Sequence, residues 1–160
     1  MKTISLLQPW ASLIAIGAKK IETRSWATRY RGTLAIHAAK KTFNTNFYLD
    51  RELYPFADAL GLPDIFSFDT LPYGCIIATC NLVDVRYMLQ GKLFRYENGA
   101  VIAGGEIPMP GEPELSFGDY TPGRFAWMLK NVKMLKSPIP AKGHQSLWNW
   151  EPPGGELQYV

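Results

Sequence analysis

The run CIIATCNLVDV, from Cys75 to Val85, does most to limit the folds open to this chain. Its apolar residues follow one another too closely for a strand with one wet face, so it reads as a central strand covered on both sides. Pro72, Tyr73 and Gly74 open it with turn chemistry. Further strands are expected at Thr3 to Leu7, at Thr33 to Ala39 after the Arg31-Gly32 turn, and at Phe125 to Leu135. Asn98-Gly99 lies between Leu93-Phe94 and Val101-Ile102, the strongest hairpin signal in the chain. Apolar positions Trp10, Leu13 and Ile14 predict a short amphipathic helix from about Pro9 to Ile16, with Gly17 free to take the left-handed conformation that ends it. A second helix is predicted from the cap-type residue Asn44 to about Leu60, stopped by Gly61 and Pro63.

Short turns between strands, without the strand-helix alternation of a parallel sheet, predict an α+β fold: a small mixed, mainly antiparallel β-barrel decorated with short helices. At 160 residues, 47% of them hydrophobic, the chain can bury a core as one domain over 1–160. An acidic helical segment at about 43–62 and a Pro/Gly-rich loop at about 106–123 interrupt it. No apolar run is long enough to span a bilayer, and the start lacks the pattern of a signal peptide, so no membrane partner and a cytoplasmic location are expected. Cys75 and Cys80, five residues apart in one strand, would point to opposite faces and are read as reduced thiols.

Charge is unevenly spread. Residues 1–41 hold eight basic side chains against Glu22 alone, residues 42–119 hold eleven acids against four bases, and residues 120–150 hold five bases and no acid. Should the two basic segments meet, they make a face that attracts phosphates. Metal chemistry is disfavoured, because His37, His144 and the two cysteines are spaced unlike a closed zinc site. Gly104-Gly105 is too short for a phosphate loop and no serine sits in a nucleophile elbow, so no cofactor is expected.

What remains is Lys19 to Trp26, where the period becomes two. Lys20, Glu22, Arg24 and Trp26 fall on one face and Ile21, Thr23 and Ser25 on the other, with Lys19 beside them. Three ionisable groups make that face unfit for a dry core. Two arrangements satisfy it: a solvated face on which Glu22 pairs with Lys20 and Arg24, or a cleft in which Arg24 and Lys20 hold phosphate, Glu22 accepts from a base edge, and Trp26 or Trp10 stacks on a base.

The run SLLQPWASLIAIGAKKIETRSW resembles the N-terminal motif of the ASCH domain family, within the PUA-like superfamily. The resemblance extends to Tyr30-Arg31-Gly32 with the strand through His37, to Gly74-Cys75 with the strand ending at Asp84, and to Phe125-Ala126-Trp127 with the tail from Gly143 to Trp148. It implies a PUA-like β-barrel and binding of RNA or DNA in a cleft lined by the motif. Carried over by position, the nucleic-acid-binding candidates are Gln8, Pro9, Trp10, Ser12, Lys20, Glu22, Arg24 and Trp26, with His37 and Trp127 added and Lys19 alongside. Trp148 is expected to pack against the barrel.

A smaller branch of the family resembles an amidohydrolase acting on acetylcytidine, with a lysine as base and a threonine as nucleophile. Here Lys19 matches the lysine, but Glu22 stands where the threonine belongs and Thr23 is one step on, so a bulge would be needed to bring Thr23 round. For such an enzyme the catalytic candidates are Lys19, Lys20, Glu22 and Thr23. The alternatives are therefore a nucleic-acid-binding module, a hydrolase of a modified nucleoside, and a ribonuclease using Lys20 and Glu22. A protein-interaction adaptor would use the acidic middle segment instead.

Overall fold

The computed structural model describes residues 1–42 and 50–160. The chain forms two compact units, each assembled from separate stretches: Met1–Ala18, Thr33–Cys80 and Asn131–Val160 make the first, and Lys19–Gly32 and Asn81–Lys130 the second. The elements in order are β1 (Lys2–Leu6), α1 (Trp10–Ala15), β2 (Ile21–Arg24), β3 (Gly32–Ala38), α2 (Asp50–Ala59), a 3₁₀ turn Ile65–Thr70, β4 (Cys75–Leu89), β5 (Lys92–Glu97), β6 (Ala100–Pro108), a 3₁₀ turn Leu115–Phe117, β7 (Phe125–Pro140) and β8 (Leu147–Asn149). The expected α+β class with a mixed sheet is what the chain adopts.

In the first unit β1 runs parallel to β3, with Ile4 opposite Ile36 and Ser5 opposite His37, and antiparallel to β8, with Thr3 opposite Trp148. Residues Ala11 to Ala15 of α1 are all buried, which is what turns six apolar and small residues into a stable short helix. The helix stops at Gly17, whose φ of 80° suits a residue without a Cβ. The expected start of the second helix at Asn44 lies outside the described residues; α2 is seen from Asp50. A core of Ala35, Ile76, Leu135 and Trp150 holds this unit, with Trp148 and Tyr159 packed against it.

In the second unit β2 pairs antiparallel with β7, placing Glu22 opposite Trp127 and Arg24 opposite Phe125. β5 and β6 form the hairpin expected at Asn98-Gly99, where both central residues have positive φ, 51° and 84°, as a type I′ turn requires. Ile21, Met88, Leu93 and Ala126 form this unit's core.

Two expectations are corrected. The barrel is not closed: the strands are ordered β2-β7-β4-β3-β1-β8, with the β5-β6 hairpin beside β4, and among the described residues no pairing joins β2 to β8. Closure demands end strands long enough to share a stagger, and β2 has four residues and β8 three. The central strand runs past Val85 to Leu89, and only Cys75 to Cys80 is buried without a break. From Asn81 onward only Leu82, Val85 and Met88 are buried while Val83 is exposed, so this half of β4 is covered in places rather than along its whole length. Both cysteines are buried free thiols, and burial pushes Cys80 up to about 12.

Candidate nucleic-acid interface

The motif residues 19–26 lie in the second unit. Strand β2 begins only at Ile21, so the two-residue alternation does not reach back to Lys19 and Lys20. Lys20 points to solvent, whereas Lys19 is wholly buried and donates from Nζ to the Ile21 carbonyl. Its Nζ lies 3.8 Å from Glu22 Oε2, and Glu22 Oε1 lies 3.3 Å from Arg24 Nε. One carboxylate thus sits between two cations, one buried and one partly open to solvent, which is the paired network that ionisable groups on a half-buried strand require. Burial pushes the Lys19 amine below the usual lysine range, assisted by Arg24; the Glu22 and Glu114 carboxylates act in the opposite direction.

The Pro/Gly-rich loop folds back onto β2. Glu114 accepts from the backbone amides of Lys20 at 2.7 Å and Ile21 at 3.1 Å, so its carboxylate fastens the start of the strand. Thr23 Oγ1 accepts from the Asp119 amide at 3.0 Å, and Arg124 donates to the Thr23 carbonyl at 3.4 Å while pairing with Asp119 at 3.2 Å. Gly118 is required where it stands, because a Cβ there would lie 2.8 Å from the Tyr120 ring and 2.9 Å from the Thr23 methyl. The Tyr120 hydroxyl is buried with no hydrogen-bond partner among the described residues. Burial raises its pKa, and Glu114 and Glu22 raise it further, so the phenol keeps its proton.

Trp26 and Trp127 meet edge to face at 4.7 Å, and the Trp127 indole donates to the Trp26 carbonyl at 3.2 Å. Trp127 is fully buried and Trp26 is half-buried. The structure therefore brings together Lys19, Glu22 and Arg24 as one network, and Trp26 with Trp127 as a second cluster. Thr23 is turned to the loop through its hydroxyl.

Gln8, Pro9, Trp10, Ser12 and His37 lie in the first unit. Gln8 is fully buried and both ends of its amide are engaged: Oε1 accepts from the Ser12 amide at 3.0 Å and Nε2 donates to the Pro72 carbonyl at 2.7 Å. It supplies the side-chain acceptor that the first turn of α1 needs, since Pro9 at the cap position makes no side-chain bond. The Trp10 ring packs edge-on at 5.6 Å against Phe56 of α2. His37 Nε2 lies 3.0 Å from the Ala141 carbonyl, which can only accept, so Nε2 carries the proton and Nδ1 accepts from Ser5 Oγ at 3.0 Å. Burial lowers the His37 pKa, the bond to Ala141 opposing it, and keeps the ring neutral. Among the described residues no group of three or more His, Cys, Asp or Glu is placed to hold a metal ion, and no helix is long and apolar enough to cross a membrane.

Sequence reasoning missed Glu114, Asp119 and Tyr120. Glu114 is 94 residues from Lys20, and nothing local marks an acid in a loop as a partner for distant backbone amides.

The strand-rich fold, the α1-to-β2 motif and the lysine-glutamate-arginine network define a class. The ASCH domain matches residues 4–139, and the chain belongs to that family. Among individual proteins, it is 29% identical over 145 residues to activating signal cointegrator 1 of Homo sapiens and 28% identical over 145 residues to the Mus musculus protein of the same name. Each match takes in 91% of this chain, which spans only about 21% of the length of those relatives.

Proposed function

We infer that this chain binds single-stranded nucleic acid, RNA in preference to DNA, through the motif face of the second unit. The observation that carries the reading is the Glu22 carboxylate held between Lys19 and Arg24, with Lys20 exposed beside it. A fixed, nearly buried carboxylate is an acceptor for an exocyclic amino group, the discrimination that an acid makes at a base edge. Arg24, whose side chain is 26% exposed, and Lys20 supply cations for the backbone, and the half-buried Trp26 is the residue that would stack on a base.

The test is a titration of the chain with fluorescently labelled single-stranded RNA and DNA across a range of salt. Arg24→Ala is expected to weaken binding and to reduce the log-log salt slope by about 0.7, the share of one phosphate on a single strand. Unchanged affinity and slope in that variant would remove Arg24, and with it this face, from the interface. Acetylcytidine run in parallel separates the hydrolase alternative, in which Lys19 would be the base. Release of acetate that is lost in Lys19→Met would replace binding by catalysis as the function.

A further inference from the structure

The first unit contains a pocket of about 1120 Å³ that the motif face does not use. Its basic side chains are Lys40, Lys41, Lys142, His37 and His144, and among the described residues no carboxylate lines it. His37 does not supply the charge. It is the middle of a hydrogen-bonded chain in which Trp148 Nε1 donates to Ser5 Oγ at 3.1 Å, Ser5 donates to His37 Nδ1, and His37 Nε2 donates to the Ala141 carbonyl. Gly143 lies flat against this ring: a Cβ there would come within 2.7 Å of Nδ1 and 2.9 Å of Ser5 Oγ.

The walls that carry the lysines are fixed in the same way. The Ala141 amide donates to the Gly74 carbonyl at 3.0 Å, and the Gly74 amide donates to the Ala38 carbonyl at 2.8 Å. The stem of Lys40 crosses Gly74, 3.7 Å from where a Cβ would stand. Lys40 and Lys142 each follow a residue whose amide is hydrogen-bonded, Ala39 to the Leu6 carbonyl and Ala141 to that of Gly74, and with Lys41 they make three exposed lysines around a space far larger than one phosphate needs. Lysine suits such a role as a mobile point charge that meets phosphate from several directions. A floor of Ala39, Pro140 and Ala141 provides the apolar surface that a sugar or base face would cover.

We propose that this pocket binds a nucleotide of single-stranded nucleic acid through its phosphate, with Lys40, Lys41 and Lys142 as the counter-charges. The assignment rests on the inferred nucleic-acid binding and adds a second anchoring point, separate in sequence from the motif face.

The experiment compares the full chain with Lys40→Ala/Lys142→Ala, using a labelled 12-nucleotide single-stranded RNA, uridine monophosphate and inorganic phosphate as probes, with thermal melting to confirm that the variant is folded. The double variant is expected to lower the log-log salt slope for RNA by about 1.4, so that between 50 and 200 mM salt the unsubstituted chain loses about sevenfold more affinity than the variant. An unchanged slope and Kd in the double variant, with Arg24→Ala still weakening RNA, overturns the pocket assignment and leaves the motif face standing. Inorganic phosphate bound as tightly as RNA, and equally lost in the variant, identifies a free anion as the ligand and overturns the nucleic-acid source. An equal fall in slope per charge for the exposed Lys92→Ala reduces the effect to net charge and overturns the site. Loss of RNA binding in Arg24→Ala alone, with the double variant unchanged, likewise goes against the pocket.

Discussion

Replacing Glu22 by Gln removes the anion that stands between Lys19 and Arg24 while keeping the shape of the side chain. Lys19 is 0% exposed and the Glu22 side chain 12%, so the vacated site leaves a cation with little water to turn to. Breaking a buried pair in this way costs about 3–5 kcal/mol, and the residual exposure of Glu22 places this case near 3. For a chain of this size that is a fall of about 6–12 °C in melting temperature. Lys19→Met/Glu22→Gln should recover most of the loss, because the pair is then absent rather than broken. The same lysine sets a pH dependence. Burial depresses its pKa in the folded state, so between that value and the ordinary lysine value of about 10.4 the unfolded chain holds the extra proton. Stability therefore rises as pH rises through this window and falls as pH drops through it. Glu22→Gln, which removes the largest influence raising the pKa, widens the window, and Lys19→Met abolishes the rise. Urea denaturation at a series of pH values reads both effects. A Glu22→Gln variant within about 0.5 kcal/mol of the unsubstituted chain, or a double variant no more stable than the singles, would refute the account of the network.

Two further substitutions probe the packing. Gly143→Ala forces a methyl into the His37 ring and the Ser5 hydroxyl and is expected to cost about 1–3 kcal/mol in urea unfolding, with loss of the His37 to Ala141 bond visible in the imidazole NMR signals. Tyr120→Phe removes a buried hydroxyl that lacks a partner, so it should leave stability unchanged or raise it by about 1 kcal/mol. A clear destabilisation in thermal melting would mean that the hydroxyl is satisfied in solution.

Local chemistry was readable wherever the signal and its cause sit within a few residues. Asn98-Gly99 supplies the two positive φ values of its turn, and Gly17 ends α1 as its position after Ile16 suggests. The mixed α+β class followed from strands without helical crossovers. The Lys19-to-Trp26 segment announced its ionic face by composition, but which partners would meet was not fixed by alternation, because β2 starts too late to include Lys19. The apolar run ends at Val85 because Arg86 and Tyr87 are polar or amphipathic, yet both continue β4 by pairing with Arg95 and Phe94 in a half-exposed ladder. The Glu114, Asp119 and Tyr120 contacts with β2 could not be read at all. A loop rich in proline and glycine has no period, and its conformation is chosen by the strand it lies on.

The pairing of β1 on both its edges has a consequence for how the chain matures on the ribosome. Within this sequence β1 is made before its partners: β3 follows about thirty residues later, and β8 spans Leu147–Asn149. One edge of β1 can be covered early in synthesis, but the other waits for nearly the whole of this sequence to be made. Until then a flat row of amides and carbonyls stays open to solvent, flanked by Ile4 and Leu6, and any factor that shields nascent strand edges has its longest window of action there.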